Sequence, residues 1–140
     1  MSGERDGGQA LIETILVGLL LLVPLIWVLG VLADLHRSAL AATAAVREAG
    51  FDAARSPTVS GAGRAVDLAV RRAFLDQGLD PGAARVRWDA SGLARGEAVE
   101  IQVSYPVTVL QAPLLGRIAG PSVWVEARHA ARIDPFRSRE

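Results

Sequence analysis

Glu13 is the residue with the strongest claim to chemistry in this chain. It heads an uncharged run, Thr14 to Ala33, made mostly of Leu, Val and Ile and closed by Asp34. About twenty residues at a rise of 1.5 Å cover roughly 30 Å, the thickness of a bilayer's hydrocarbon core. A helix is the one single-segment structure that satisfies its own backbone there. A carboxylate beside lipid is costly, and such groups are functional by default. Its chemistry would be electrostatic, because opposite charges attract far more strongly at low dielectric than in water. A chain cut after Gly8 would begin at Gln9 with a free α-amine, and Glu13 would be its fifth residue. The plain alternative is that Glu13 marks the polar boundary of an ordinary signal anchor.

No other residues assemble into a reactive constellation. His36 and His129 are far apart in sequence and there is no Cys, which excludes disulfides, thiolate zinc sites and thiol catalysis. No Ser sits in a nucleophile-elbow setting. Gly61-Ala62-Gly63 precedes a helix pattern but lacks the strand that a phosphate-binding loop needs. Asp34 reads as a lipid boundary before it reads as an ion-path residue. The residues thus point to no catalytic site, no cofactor, no metal and no small-molecule substrate. Fifteen basic residues, all Arg, balance fifteen acidic ones, so no bulk field favours nucleic acid.

The tract Gly8-Gln9-Ala10-Leu11-Ile12-Glu13, behind a short charged leader and ahead of a long apolar run, resembles a type IV prepilin signal. It is most similar to the start of TadE-like minor pilins, or pseudopilins, of tight-adherence pilus systems. The resemblance is specific for about the first third of the chain. It implies a leader, residues 1–8, removed by a prepilin peptidase between Gly8 and Gln9. It also implies a helix kinked at Pro24, an extracytoplasmic C-terminal domain, and a structural role in pilus initiation, assembly or adhesion. Partners would be the bilayer, the peptidase, other pilins and the assembly platform. In that family the fifth-residue Glu meets the N-terminus of a neighbouring subunit, so Glu13 would set the register of insertion. Thr14 departs from the aromatic that short major pilins carry there, which favours a minor component. The rival is a signal-anchored extracytoplasmic binding module that is never clipped.

Two observations bear on insertion. A general secretory signal wants a basic n-region and a shorter apolar stretch, whereas Glu4 and Asp6 flank Arg5 here. Small residues at Ala39–Ala41 and Ala42–Ala44 lie beyond the apolar run, where a signal peptidase is poorly placed. Only Arg5 precedes the run, against Arg37, Arg47 and Arg55 after it, so the positive-inside rule opposes the inward N-terminus that the resemblance implies.

The elements that must position these residues form an α+β chain. One helix is expected from about Ala10 to about Ala54, its membrane half at residues 9–35 and its outer half at 36–56. Beyond the run, Leu35, Leu40, Ala41, Ala44, Ala45 and Ala49 recur at helical spacing, with Arg37, Ser38, Arg47 and Glu48 between them. Gly50 would weaken or cap the helix, and Ser56-Pro57 would end it. Residues 57–140 form a small domain. Pro57 to Gly63 reads as a linker. An amphipathic helix follows from about Arg64 to Gln77, with Val66, Ala69, Val70, Ala73 and Phe74 on one face and an Asp67–Arg71 pair on the other. Gly78 stops it and Asp80-Pro81-Gly82 turns the chain.

Three antiparallel strands complete the pilin-like order. Val86, Trp88 and Ala90 alternate with Arg85, Arg87 and Asp89, and a hairpin loop spans Ser91 to Gly96. Val99 to Val109 alternates without a break, its odd positions apolar, with Pro106 marking an edge, a bulge or a break. Ala112 to Pro121, holding Leu114-Leu115, reads as a loop or short helical turn. The last strand runs from about Val123 to Ile133 with Val123, Val125, Ala127, His129, Ala131 and Ile133 inward. Asp134-Pro135 ends it. Arg85, Arg87, Glu100, Glu126, Arg128 and Arg132 face outward and would pair across strands. Trp124 falls on that polar face, either as an interface anchor or beneath the 112–121 loop.

Overall fold

A computed structural model describes residues 3–89, 98–109 and 120–132, with side chains from Gly8 onward. Helix α1 spans Gly3–Arg55, α2 spans Val59–Asp76, and a 3-10 turn covers Pro81–Ala83. Strands β1 (Arg85–Trp88), β2 (Ala98–Thr108) and β3 (Ser122–Arg132) form one antiparallel sheet in that spatial order. The class is α+β, as the residue pattern implies. The 91–96 hairpin loop, the Leu114-Leu115 segment, Ile133 and the Asp134-Pro135 stop lie outside the described residues.

The chain divides into two compact units, Met1–Ala33 and Asp34–Glu140. The first contains the apolar run of α1, and that helix is long and apolar enough to cross a membrane. The helix starts at Gly3, earlier than the expected Ala10, and runs without interruption past Pro24.

The second unit holds the core. Ser38, Ala41, Ala42, Ala45, Val46, Ala49 and Ala53 form the buried face of α1 at i, i+3, i+4, i+7 spacing. Ala41, Ala45 and Ala49 are buried as expected and Leu35 packs against the core, but two expected positions are corrected. Leu40 is 47% exposed and Ala44 is exposed, while Ser38 is 1% exposed. The face that approaches the sheet is chosen for smallness rather than for the largest apolar side chain. Gly50 does not cap α1, which continues to Arg55. It lies in the helix where a Cβ would meet His129 Cδ2 at 2.9 Å and Ala131 Cβ at 3.2 Å.

The expected 57–63 linker is mostly helix. Thr58 is extended (φ −132°, ψ 153°) and its Oγ1 accepts the Gly61 N–H at 3.1 Å, so α2 starts at Val59. A hydroxyl at the N-cap satisfies one of the first turn's orphan donors. At the other end Gly78 takes φ +67°, Leu79 N–H donates to Phe74 C=O at 2.9 Å and Gly78 N–H to Leu75 C=O at 2.9 Å. That is a Schellman closure, which needs a residue able to adopt positive φ. Asp67 and Arg71 do not pair; Arg72 instead reaches Glu48 of α1 at 2.9 Å.

Strand β2 is the centre of the sheet. Val99, Ile101, Val103, Tyr105 and Val107 are all buried against the helices, and Tyr105 stacks on Phe74 with ring centroids 4.8 Å apart. Pro106 is tolerated in this central strand for a positional reason. Asp89 N–H donates to Glu100 C=O, so even-numbered residues of β2 face β1. The β1 pairing ends at Arg85–Ser104, before Pro106 would be asked to donate. Strand β3 is covered less. Val125, Ala127, His129 and Ala131 are half-buried, and Val123, expected inward, is 49% exposed.

Candidate functional site

The residues singled out by the prepilin-like tract all lie on α1. Gly8, Gln9 and Glu13 are exposed along its first described turns. Thr14 Oγ1 donates to Ala10 C=O at 2.9 Å, one turn back, so the hydroxyl beside Glu13 is satisfied inside the helix. Across the apolar run none of the side chains in the defining window is buried by the rest of the chain. Leu, Val and Ile from Leu11 to Leu29, and Leu32, are exposed, Val31 is half-buried, and Trp27 is 40% exposed. A helix that is apolar all round and unburied needs an apolar surrounding to be stable. Gly8, Gly18 and Gly30 have no heavy atom within 4 Å of a would-be Cβ, so each leaves a notch on the helix surface. Such notches let backbones approach closely in lipid.

Among the described residues the second unit shows no reactive grouping. His36 is exposed, and His129 lies half-buried against Gly50 of α1, an inner-face position as its alternation implies. No group of His, Cys, Asp and Glu among the described residues is arranged to hold a metal. An open cleft of about 440 Å³ is lined by Asp67, Arg71, Asp80, Val70 and the Pro81–Gly82 turn. Its Asp80 carboxylate is committed to capping, accepting the Gly82 N–H at 2.9 Å. The Tyr105 hydroxyl is pushed above its ordinary pKa by burial, against a hydrogen bond from the Asp80 backbone, with the Asp80 and Asp34 carboxylates adding to the rise. That shift belongs to a core phenol rather than to an acid or base poised near neutrality.

The outer sheet face departs from expectation. Glu126 accepts from Arg128 two residues along β3, at 2.7 Å, and from Gln102 Nε2 on β2, rather than from an arginine on the neighbouring strand. Trp124 is 44% exposed on that face, with the Arg85 guanidinium 4.3 Å above its ring. The segment expected to cover it lies outside the described residues. Sequence reasoning missed the Arg85–Trp124 contact. Once Arg85 faces Ser104 and Trp124 faces Pro106, the two lie diagonally across β2. That register is not readable from alternation alone.

No family model, no curated protein and no solved structure matches this chain.

Proposed function

We propose that this chain is a minor pilin or pseudopilin of a tight-adherence type pilus system, made as a single-pass precursor and clipped after Gly8. The observation that carries the reading is one carboxylate, Glu13, five residues beyond Gly8 and directly ahead of the uncharged Thr14–Ala33 run. Continuation of α1 to Arg55 and the α+β unit behind it support the reading. The role is structural rather than catalytic, and the C-terminal unit is extracytoplasmic.

Clipping would expose an α-amine on Gln9 close to lipid. That cation and the Glu13 carboxylate are each costly when unpaired in a low-dielectric setting, and each offsets the other when they meet. Glu13 of an incoming copy would accept the amine of a neighbour, fixing the depth at which its apolar helix enters the growing assembly.

Mass spectrometry of the membrane form tests the first step. A chain starting at Gln9 is expected; a mature chain that keeps residues 1–8 sinks the proposal and leaves a signal-anchored binding module. Glu13→Ala tests the second. It is expected to be clipped normally but to be lost from the fibre, and unaltered piliation would refute the assigned role.

A further inference from the structure

Among the described residues, strand β3 has one hydrogen-bonding edge with no paired strand. Val109 N–H donates to Pro121 C=O at 3.1 Å, which sets the odd-numbered residues of β3 toward β2. The N–H and C=O groups of Ser122, Trp124, Glu126, Arg128, Ala130 and Arg132 therefore point the other way. Among the described residues no strand pairs with that edge. Sheets protect such edges by keeping them short, by bulges, or by Pro and Lys. Strand β3 is eleven residues long, pairs with β2 residue for residue, and contains neither Pro nor Lys. It does carry charge, and the order of that charge is self-complementary.

We propose that a second copy of this chain adds its own β3 to this edge, antiparallel, with the two-fold axis at Ala127. Ala127 is the midpoint of Ser122–Arg132, so this register engages the strand from end to end. It sets Glu126 opposite Arg128 of the second copy and Arg128 opposite Glu126. Trp124 falls opposite Ala130. On the inner face the exposed Val123 falls opposite Ala131, and Val125 opposite His129. Moving the axis to Glu126 or to Arg128 would face that residue with itself, and like charges directly opposite are destabilising. Moving it further leaves strand ends unpaired. The result is a continuous six-stranded sheet. Its two-fold axis is normal to the sheet and reverses the Asp34–Arg55 part of α1, which packs on the inner face. The pairing joins two copies of the chain through their second units, whether or not the chain is a pilin.

The chain has no Cys, so a single introduced thiol reports cleanly. In the full chain in detergent, Ala127→Cys would place two thiols across the axis, at a non-hydrogen-bonded pair with Cα atoms about 4.5 Å apart, within disulfide reach. Ala130→Cys would place them roughly 20 Å apart. Oxidative linkage of Ala127→Cys at least about tenfold faster than of Ala130→Cys is expected, and Glu126→Arg should slow it by about tenfold. Glu126→Arg with Arg128→Glu should restore it. Equal linkage at both positions would mean random collision. No linkage at Ala127→Cys in a folded chain would mean the edge is covered by this chain's own residues or by water. Either result overturns the proposal.

Discussion

The ring of His129 on β3 rests directly on the backbone of Gly50 on α1. A Cβ at position 50 would lie 2.9 Å from His129 Cδ2, closer than real side chains approach, and 3.2 Å from Ala131 Cβ. Replacing Gly by Ala inside a helix is ordinarily worth about 1 kcal/mol in favour of Ala. Here the sign should reverse. Gly50→Ala is expected to destabilise by about 1–3 kcal/mol through overpacking, read as a lowered Tm of the detergent-solubilised chain. Adding His129→Ala should recover most of the loss. A Gly50→Ala chain more stable than the parent would refute the contact.

Ser38 presents the opposite case. Its hydroxyl is buried without a hydrogen-bond partner among the described residues. Leaving such a group unsatisfied costs about 1–3 kcal/mol. Ser38→Ala deletes the group at little cost in volume. It is expected to raise stability by about 1 kcal/mol, measured by denaturant titration. A loss of stability would show that the hydroxyl has a partner.

Tyr105 is the single tyrosine, and there is no Lys, so side-chain titration near pH 10 belongs to this phenol alone. Its pKa is raised from 10.0 in the folded chain, chiefly by burial. A raised pKa means the folded state holds its proton more tightly. The stability this confers is fully present below pH 10 and is lost as pH rises through the folded value. Tyrosinate absorbance should therefore rise later in the folded chain than in the unfolded one, and Tyr105→Phe should flatten the alkaline fall in stability. Coincident titration curves would contradict the burial of this ring beside Phe74.

Thr58 starts α2 with a single side-chain acceptor. Thr58→Ala should cost about 1 kcal/mol and Thr58→Ser far less, because the serine keeps the oxygen. Equal losses in thermal unfolding would locate the effect in the methyl group instead.

These contacts show what was legible in the residues and what was not. The alternation over β2 was unambiguous, since its odd positions are apolar and all of them from Val99 to Val107 are buried. Helix α1 was equally plain. Its phase in the second unit was legible only in part: Ala41, Ala45 and Ala49 are buried as expected, but Leu40 outweighs Ala42 or Ser38 in any reading by hydrophobicity. The start of α2 was hidden by Ser60, Gly61 and Gly63, a loop-like composition overruled by one cap and by Ala62 and Val66 entering the core. Val123 kept the right face, yet two helices do not cover the margin of a three-stranded sheet. At the candidate site the position of Glu13 was readable outright. In the proposed reading its partner lies on another molecule, which no folding pattern within one chain can disclose.

The alanine lining of α1 makes the domain's tolerance lopsided. With Ala41, Ala42, Ala45, Ala49 and Ala53 fully enclosed, the helix contributes little bulk of its own and relies on nearness to the sheet. Paring any one of these down forfeits a single methyl, whereas a branched or aromatic substitute must wedge the layers apart. Natural variation here should drift toward Gly and Ser and shun anything wider, so that this fold is undone by swelling rather than by hollowing.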